Sequence, residues 1–92
     1  MIRIEEKTID KETIVLWIEG RLDRESFPAF REMCERYFQA GKKLQLNLSR
    51  LIYIGQNGLG YFRDIRDRVH FLDLNAYLKM AIQDVNTEDL AS

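Results

Sequence analysis

The sequence has 92 residues, 46% of them hydrophobic, which fits a single compact domain over residues 1–92. Its 14 basic and 15 acidic residues give a formal net charge of -1, which argues against a nucleic-acid binder and against a polybasic membrane anchor. With 1 cysteine and no long apolar run, we expect a cytoplasmic protein with no internal disulfide and no direct membrane insertion.

The chain begins with two segments, residues 2–6 and 13–19, in which apolar and polar side chains alternate. A turn at Asp10 and Lys11 separates them. This pattern predicts a β-hairpin, and Gly20 is expected to break its second strand.

A helix is predicted next, with Ser26 as its N-cap and Pro28 in the first turn, where a missing N–H costs little. Apolar residues recur there at helical spacing: Phe27, Phe30, Met33, Cys34, Tyr37 and Phe38. Gly41 is expected to end the helix. Cys34 lies in the apolar stripe, so we interpret it as a core residue.

Residues 43–49 alternate again and predict a third strand. A short connection then leads to Asn57, the predicted N-cap of a second helix. The apolar stripe of that helix would contain Leu59, Phe62, Ile65, Val69 and Leu72. Asp64 and Arg68 stand four residues apart on its polar face and are expected to pair.

Residues 77–83 are predicted as a last strand, with a helix over residues 74–85 as the alternative, and Asn86 would cap a short turn through Leu90. The order is therefore β-β-α-β-α-β. It predicts an α/β fold with a mixed, mostly parallel sheet, and the alternation within the strands predicts helices on one face only.

Three segments in order then narrow the fold: residues 20–23 (GRLD), 46–49 (LNLS) and 53–60 (YIGQNGLG). They resemble the STAS family, the anti-sigma factor antagonist domains that are also found on sulfate transporters. The family pattern is Gly-x-Leu-Asp after a strand, Asp/Asn-Leu-Ser at a strand end and Asp-Ser-Ser-Gly-Leu-Gly at the second helix. The resemblance covers about residues 2–85 and implies a STAS-like fold.

In family members that act as switches, a partner kinase that is also an anti-sigma factor phosphorylates the second serine of Asp-Ser-Ser. Here Asn57 occupies that position, after Gly55 and Gln56. Asn57 has no hydroxyl and is neutral, whereas a phosphate adds about -1.5 to -2 charges. The resemblance therefore implies constitutive partner binding, with Ser26 and Ser49 left open as alternative phosphoacceptors.

The partner surface is expected along these positions, because Asp23 matches the family aspartate near the switch and Asn47 a polar position beside it. The expected contact residues are Asp23, Asn47, Gln56, Asn57, Tyr61, Asp64 and Arg68. Tyr61 is the expected aromatic anchor. The resemblance implies a regulatory protein as partner: an anti-sigma/kinase-type ATPase, a signalling assembly or a transporter subunit.

STAS domains usually continue into a full C-terminal helix, whereas only residues 86–92 follow the last predicted strand, so a shortened C-terminus is expected. Val15 and Trp17 would then lie on an open sheet face and contact a second copy or an obligate partner. A self-assembling structural subunit is one alternative function. A small-ligand sensor that uses residues 55–60 is another.

No enzyme, cofactor or metal site is expected. Gly58 and Gly60 stand at a helix start, but no Lys or Ser/Thr follows them as in a phosphate-binding loop. His70 is the only histidine, and no cysteine stands near it at metal-ligand spacing. The carboxylates fall on polar faces of the predicted elements, where no nucleophile and base can be paired.

Overall fold

The computed structural model describes residues 2–82, which form one five-stranded sheet and three helices. The strands are β1 (Ile2–Thr8), β2 (Thr13–Leu22), β3 (Lys43–Asn47), β4 (Leu51–Ile54) and β5 (Val69–Leu72). The helices are α1 (Phe27–Gln39), α2 (Gln56–Ile65) and α3, over residues 76–82. Within the described residues, no helix combines the length and apolarity that a membrane span requires.

The sheet is mixed and mostly parallel, which confirms the predicted fold class. Its strands follow the order β1-β2-β3-β5, and β4 pairs with the last residues of β2. Only β1 and β2 are antiparallel, while β2–β3, β2–β4 and β3–β5 are parallel. β4 therefore continues along β2 beyond the point where β3 ends, and this brings the start of α2 close to the end of β2.

Local signals explain the hairpin turn and the end of α1, both as predicted. The Asp10 carboxylate accepts hydrogen bonds from the N–H groups of Glu12 and Thr13, at 2.8 and 2.9 Å, and closes the turn. At the end of α1, Gly41 has a φ of 75°. The N–H of Lys42 then reaches back to the carbonyl of Tyr37 at 2.9 Å, the Schellman arrangement that terminates a helix.

The prediction that Gly20 would break the second strand is wrong. β2 continues through Gly20, at a φ of 98°, as far as Leu22, and its pairing with β4 shifts register between Gly20 and Arg21. Glycine adopts this positive φ without steric cost, so the strand bends here instead of ending. The bend delivers Asp23 to the start of α1.

Two strands, β4 and β5, were not predicted: β4 lies in the predicted connection, and β5 lies in the last part of the predicted second helix. β4 is a four-residue strand within the predicted connection, and it is too short to show a clear period in the sequence. α2 ends at Ile65, and Val69 and Leu72, which were expected in its apolar stripe, lie in β5. Val69 and Phe71 pack against the core while His70 between them is exposed, the period of a strand.

The predicted strand over residues 77–83 is wrong, and the alternative of a helix in residues 74–85 is borne out, because residues 76–82 are helical. Asn75 starts the helix: its side-chain oxygen accepts a hydrogen bond from the N–H of Leu78 at 2.8 Å. Leu78 and Ile82, one turn apart, are buried, and the carbonyl of Ala81 accepts a hydrogen bond from Arg63 of α2. A helix thus follows the last strand, and the expected shortening concerns residues 86–92, which lie outside the described residues. The predicted turn at Asn86 lies outside the described residues.

The core lies between the helices and one face of the sheet. It contains alternate residues of β2 and β3 together with buried residues of all three helices: Ile14, Leu16, Ile18, Leu44, Leu46, Phe30, Cys34, Phe62, Ile65, Leu78 and Ile82. Val15 and Trp17 alternate with the core residues of β2 and so face the other side, as expected. Val15 is nevertheless only 3% exposed, and this face offers little apolar surface.

Candidate functional site

The start of α1 is fixed by a ring of hydrogen bonds between Asp23 and Ser26. The Ser26 N–H donates to the Asp23 carboxylate at 3.0 Å, and the Asp23 N–H donates to the Ser26 hydroxyl at 3.0 Å. The hydroxyl donates in turn to the carboxylate at 2.9 Å. This reciprocal pattern has the form of a capping box across the turn that leads into α1, whose N-cap residue is Ser26. Ser26 precedes α1 as predicted, but its side chain makes no capping bond of its own.

These hydrogen bonds also set the charge of Asp23. The N–H and then the hydroxyl of Ser26 hold the pKa of the Asp23 carboxyl below its usual value. Asp23 therefore carries a full negative charge at neutral pH, at the positive end of the α1 dipole. Its carboxylate is fixed in one orientation rather than free to rotate.

The start of α2 is built differently, and the prediction that Asn57 caps this helix is wrong. Gly55 occupies the N-cap position and provides no side-chain hydrogen bond, and Asn57 is the second residue of the helix. The N–H of Gly55 is tied to the carbonyl of Leu22 at 2.9 Å, which joins this end of α2 to the end of β2. Gln56 and Asn57 are exposed.

Gly58 and Gly60 have different packing roles. A methyl group on Gly58 would lie 2.9 Å from a side-chain carbon of Ile54 and 3.1 Å from one of Leu22. A methyl group on Gly60 would meet no atom within 4 Å. Gly58 thus allows α2 to approach the sheet closely, and this close approach positions Asn57.

A shallow cavity of about 200 Å³ separates the two helix starts, and part of the predicted contact surface meets there. The lining residues are Asp23, Arg24, Tyr53, Gly55, Gln56, Asn57 and Gly58. Asp23, Gln56 and Asn57 were predicted as contact residues, and the structure brings these three together. The cavity is half open and is lined by both polar and apolar groups, which suits contact with another protein better than enclosure of a small molecule.

The sequence analysis missed Tyr53 and Arg24 as residues of this cavity. Tyr53 belongs to β4, the strand that was not predicted, and the guanidinium of Arg21 lies 4.4 Å from the centre of its ring. Arg24 follows Asp23 directly and is exposed. The sequence signals were the position of Arg24 beside the family aspartate and the position of Tyr53 at the start of the segment over residues 53–60.

Asn47 is held elsewhere in the fold. It is 7% exposed, and its amide nitrogen donates to the Asp73 carboxylate at 3.1 Å. Its amide oxygen accepts a hydrogen bond from the Ser49 N–H at 2.9 Å. Asn47 therefore connects the ends of β3 and β5, and any contribution to partner binding would be indirect.

Tyr61 is a packing residue between α1 and α2, which corrects the expectation of a surface aromatic anchor. It is 7% exposed, and its ring meets Phe27 and Phe30 edge to face, with centroids 5.7 and 6.3 Å away. Its hydroxyl donates to Glu35 at 2.5 Å. Burial, followed by this hydrogen bond, raises the pKa of Tyr61.

Asp64 and Arg68 lie near the other end of α2, away from the cavity. Because α2 ends at Ile65, Arg68 is not one helical turn beyond Asp64, and the expected pair does not form. The guanidinium of Arg68 instead lies 4.0 Å from the Glu35 carboxylate and 4.3 Å from the ring centre of Phe38. Arg68 thus connects the end of α2 to α1.

The remaining candidates lie outside the cavity. Cys34 is fully buried as predicted, and desolvation raises the pKa of its thiol to about 12, so it is held as an unreactive thiol. His70 is exposed on β5, and Ser49 is exposed after β3. Among the residues that the structure describes, no group of three or more His, Cys, Asp or Glu side chains could hold a metal ion.

Comparison with known proteins identifies the family. The STAS domain family matches residues 5–85, most of the chain, and the chain therefore belongs to the STAS domain family. A search of curated proteins finds no match.

Solved structures with the same fold include anti-sigma factor antagonists. The chain is similar to the anti-sigma factor antagonist SpoIIAA in its unphosphorylated form, with a TM-score of 0.70, 19% identity and coverage of 97% of each chain. An antagonist from Mycobacterium paratuberculosis gives a TM-score of 0.72 and 14% identity over 99% of this chain and 82% of its own. The phosphorylated form of the Bacillus cell fate determinant SpoIIAA gives 0.68 and 19%, over 95% and 86%.

Proposed function

We propose that this STAS domain acts without catalysis, by binding a regulatory protein partner at the cavity between the starts of α1 and α2. The observation that carries the proposal is the convergence of Asp23, Gln56 and Asn57 on one exposed cavity. Membership of the STAS family and the shared fold with anti-sigma factor antagonists support it.

The polar groups of this cavity differ in how freely they meet a partner. One carboxylate oxygen of Asp23 accepts both hydrogen bonds from Ser26, so Asp23 presents a fixed negative charge. Gln56 and Asn57 are exposed, and within residues 2–82 neither side chain makes a hydrogen bond. Because no contact inside the fold has to be broken, both amides are available to pair with a partner's polar groups.

The binding is constitutive in this proposal, because Asn57 cannot accept a phosphoryl group. SpoIIAA, which shares this fold, has been solved in a phosphorylated and an unphosphorylated form, so phosphorylation occurs on a protein of this fold. Asn57 is neutral and lines the same cavity as the Asp23 carboxylate. A negative charge introduced at Asn57 would repel that carboxylate and any acidic group of the partner.

The other expected contact residues require a partner of a particular size. α2 has ten residues and is about 15 Å long, so Asp64 and Arg68 are reached only by a partner that follows the whole helix. Asn47 would act by holding the ends of β3 and β5 in place. We therefore centre the proposed contact on Asp23 and Asn57.

The experiment compares three forms of the tagged protein as baits for partners in a lysate of the native cells. Asn57→Asp adds a charge, and Asn57→Gln is the matched neutral control. We expect one protein to be recovered by the wild type and by Asn57→Gln, and to be lost with Asn57→Asp. Its identity then decides among an anti-sigma/kinase-type ATPase, a signalling assembly and a transporter subunit.

Misfolding does not explain the expected loss. Asn57 is the second residue of α2, and an acidic residue in the first turn stabilises a helix by about 0.3–1 kcal/mol. Repulsion from Asp23 offsets part of this gain, so Asn57→Asp should fold about as well as the wild type while it binds less. Equal recovery of the partner by Asn57→Asp would contradict constitutive binding through this residue.

A further inference from the structure

The outer edge of β1 forms one end of the sheet, and within residues 2–82 no strand pairs with it. β1 has seven residues and is exposed over most of its length. A free edge of this kind can take up a further strand through its main-chain N–H and carbonyl groups. What can pair there depends on which groups of β1 point outward and on the charges beside them.

The hydrogen bonds of β2 show which main-chain groups of β1 point outward. The Ile9 N–H donates to the Thr13 carbonyl at 2.9 Å, and hydrogen-bonded pairs alternate along an antiparallel ladder. The Gly20 N–H donates to the Arg50 carbonyl at 3.1 Å and so points away from β1, as this alternation requires. The N–H and carbonyl groups directed away from β2 therefore belong to Ile2, Ile4, Glu6 and Thr8.

The side chains of β1 divide between the two faces of the sheet. Ile2 and Ile4 pack against the core, on the face that the helices cover. Arg3, Glu5 and Lys7 alternate with them and lie exposed on the open face, where their charges alternate in sign. A strand that pairs with this edge must therefore present the opposite order of charges.

We propose that two copies of the chain pair through β1, antiparallel about a two-fold axis at Ile4, so that their sheets join into one. In a two-fold interface the same strand of each copy must complement itself. With the axis at Ile4, Arg3 of each copy lies opposite Glu5 of the other, and the two Ile4 side chains meet beside the core. The outward groups of Ile2, Ile4 and Glu6 then form about six main-chain hydrogen bonds between the copies.

Charge selects this register among the antiparallel ones. An axis at Glu5 would pair Glu5 with itself and Arg3 with Lys7, and an axis at Arg3, Glu6 or Lys7 would pair that residue with itself. Like charges directly opposite each other destabilise a strand pair, whereas opposite charges stabilise it. Among axes at residues 3–7, only Ile4 opposes no like charges. β1 thus carries its own complement, which favours a second copy of this chain as the partner.

The charged pairs of this interface remain in water. Glu5 already lies 3.7 Å from Arg50, and the side chains of both are more than half exposed. Arg3 of the second copy would join this ion pair without being buried, so little desolvation opposes the contact. One strand from each copy provides less than the about 800 Å² per partner of a standard interface, so a weak dimer in the micromolar range or above is expected.

The open sheet face itself, which was expected to contact a second copy through Val15 and Trp17, is less suited. Val15 is buried, and Trp17 lies in a small cavity with charged side chains around it: Arg3, Glu5, Glu19 and Arg50. A second copy placed over that face would have to desolvate those charges. Pairing at the edge leaves the face in water.

Sedimentation velocity of the full chain at low ionic strength tests the proposal, from about 5 µM to about 500 µM. The wild type should shift from monomer towards dimer across this range. Arg3→Glu and Glu5→Arg should each weaken association by about tenfold or more, because each creates two like-charge pairs. An equimolar mixture of the two variants should restore association, since every charged pair of the mixed dimer again has opposite signs.

Lys7→Glu is the matched control, because Lys7 lies on the same face of β1 but outside the paired residues 2–6. It should leave the dimer unchanged, and unchanged thermal unfolding of each variant should verify that it folds. A wild type that stays monomeric, a dimer that survives Arg3→Glu, or a mixture that fails to associate would each overturn the proposal. Asn57→Asp should leave the dimer unchanged, so the result is independent of partner binding at the start of α2.

Discussion

Helix α1 begins from a closed ring of side-chain hydrogen bonds, whereas α2 begins at a glycine without a side-chain cap. At α1, the backbone N–H and side chain of Asp23 and of Ser26 hydrogen-bond each other. At α2, the anchors are the backbone bond from Gly55 to Leu22 and the close packing of Gly58. The two starts border the same cavity, so the difference lies in how each is held in place.

The way each helix start is held determines whether its polar side chains are free to contact a partner. A helix start held by side-chain hydrogen bonds uses its polar groups for structure and presents them in a fixed arrangement. A start held by packing and backbone bonds leaves its polar side chains uncommitted. Asn57 and Gln56 are uncommitted in this sense. In the proposed contact they would form the adjustable part, and Asp23 the fixed part.

The largest expected effect concerns the packing that holds α2. Gly58→Ala should lower the free energy of unfolding by about 1–2 kcal/mol, because its new methyl group would overlap Ile54 and Leu22. Gly60→Ala is the matched control and should raise it by about 0.5–1 kcal/mol, since alanine favours the helix and meets no atom. Urea unfolding measures both. The same sign for the two variants would contradict the packing role of Gly58.

The next effect concerns the hydrogen bonds that hold α1. Ser26→Ala removes the hydroxyl that bonds the carboxylate and N–H of Asp23, and should lower the free energy of unfolding by about 1 kcal/mol. Ser49→Ala is the control, because the Ser49 contact to Asn47 uses only its N–H. Urea unfolding should show a change within about 0.5 kcal/mol for Ser49→Ala. Equal losses in both variants would argue against the capping box.

The capping box also predicts a dependence of stability on pH. The lowered pKa of Asp23 means that its contribution to stability is complete above the ordinary value of 3.8 and is lost as the pH falls through the lowered value. Asp23→Asn keeps a hydrogen-bond acceptor but cannot titrate. The free energy of unfolding should therefore fall less steeply with acid in Asp23→Asn than in the wild type.

Asp10 provides a second, independent contribution of the same sign. The N–H of Glu12 lowers its pKa in the β1–β2 turn, so some acid sensitivity should remain in Asp23→Asn. Unfolding measured by circular dichroism between about pH 2 and pH 6 tests both residues. An identical pH profile for wild type and Asp23→Asn would show that the Ser26 bonds do not stabilise the charged form.

The smallest expected effect is a gain at the uncapped start of α2. Gly55 has an extended conformation, with φ -84° and ψ 176°, which serine adopts without strain at an N-cap. A methyl group there would meet its nearest atom, the Leu22 carbonyl oxygen, at 3.7 Å, an ordinary contact. Gly55→Ser should raise the free energy of unfolding by about 0.3 kcal/mol, which urea unfolding measures as a slightly higher midpoint. A loss of stability would mean that this helix start has no room for a cap.

Local signals explain which parts of the fold could be predicted from the sequence. The β1–β2 turn and the end of α1 are determined by side chains within a few residues, such as Asp10 and Gly41. The secondary structure of residues 69–82 was predicted wrongly, because their apolar side chains fit the period of two of a strand and the period of 3.6 of a helix almost equally. The hydrogen bond from the Leu78 N–H to the Asn75 side chain favours a helix over residues 76–82. It forms because the preceding strand, β5, ends at Leu72.

In the candidate site, too, positions within a local motif could be predicted, whereas contacts between different helices could not. The resemblance found Asp23 and Asn57, because both positions belong to motifs that can be read along the chain. It also placed Tyr61 on the surface, and the structure buries that ring against Phe27 and Phe30 of α1. No sequence spacing reports which residues of two different helices face each other. Whether a side chain of α2 is buried or exposed therefore follows only from how the two helices pack in the structure.

The central claim is that Asn57 contributes to binding and not to stability, and paired measurements on Asn57→Asp test it most directly. One is the affinity for the purified partner, and the other is the free energy of unfolding, each compared with wild type and Asn57→Gln. The account predicts at least about tenfold weaker binding by Asn57→Asp, with a free energy of unfolding within about 0.5 kcal/mol of that of the wild type. Unchanged affinity, or a loss of affinity in proportion to a loss of stability, would contradict it.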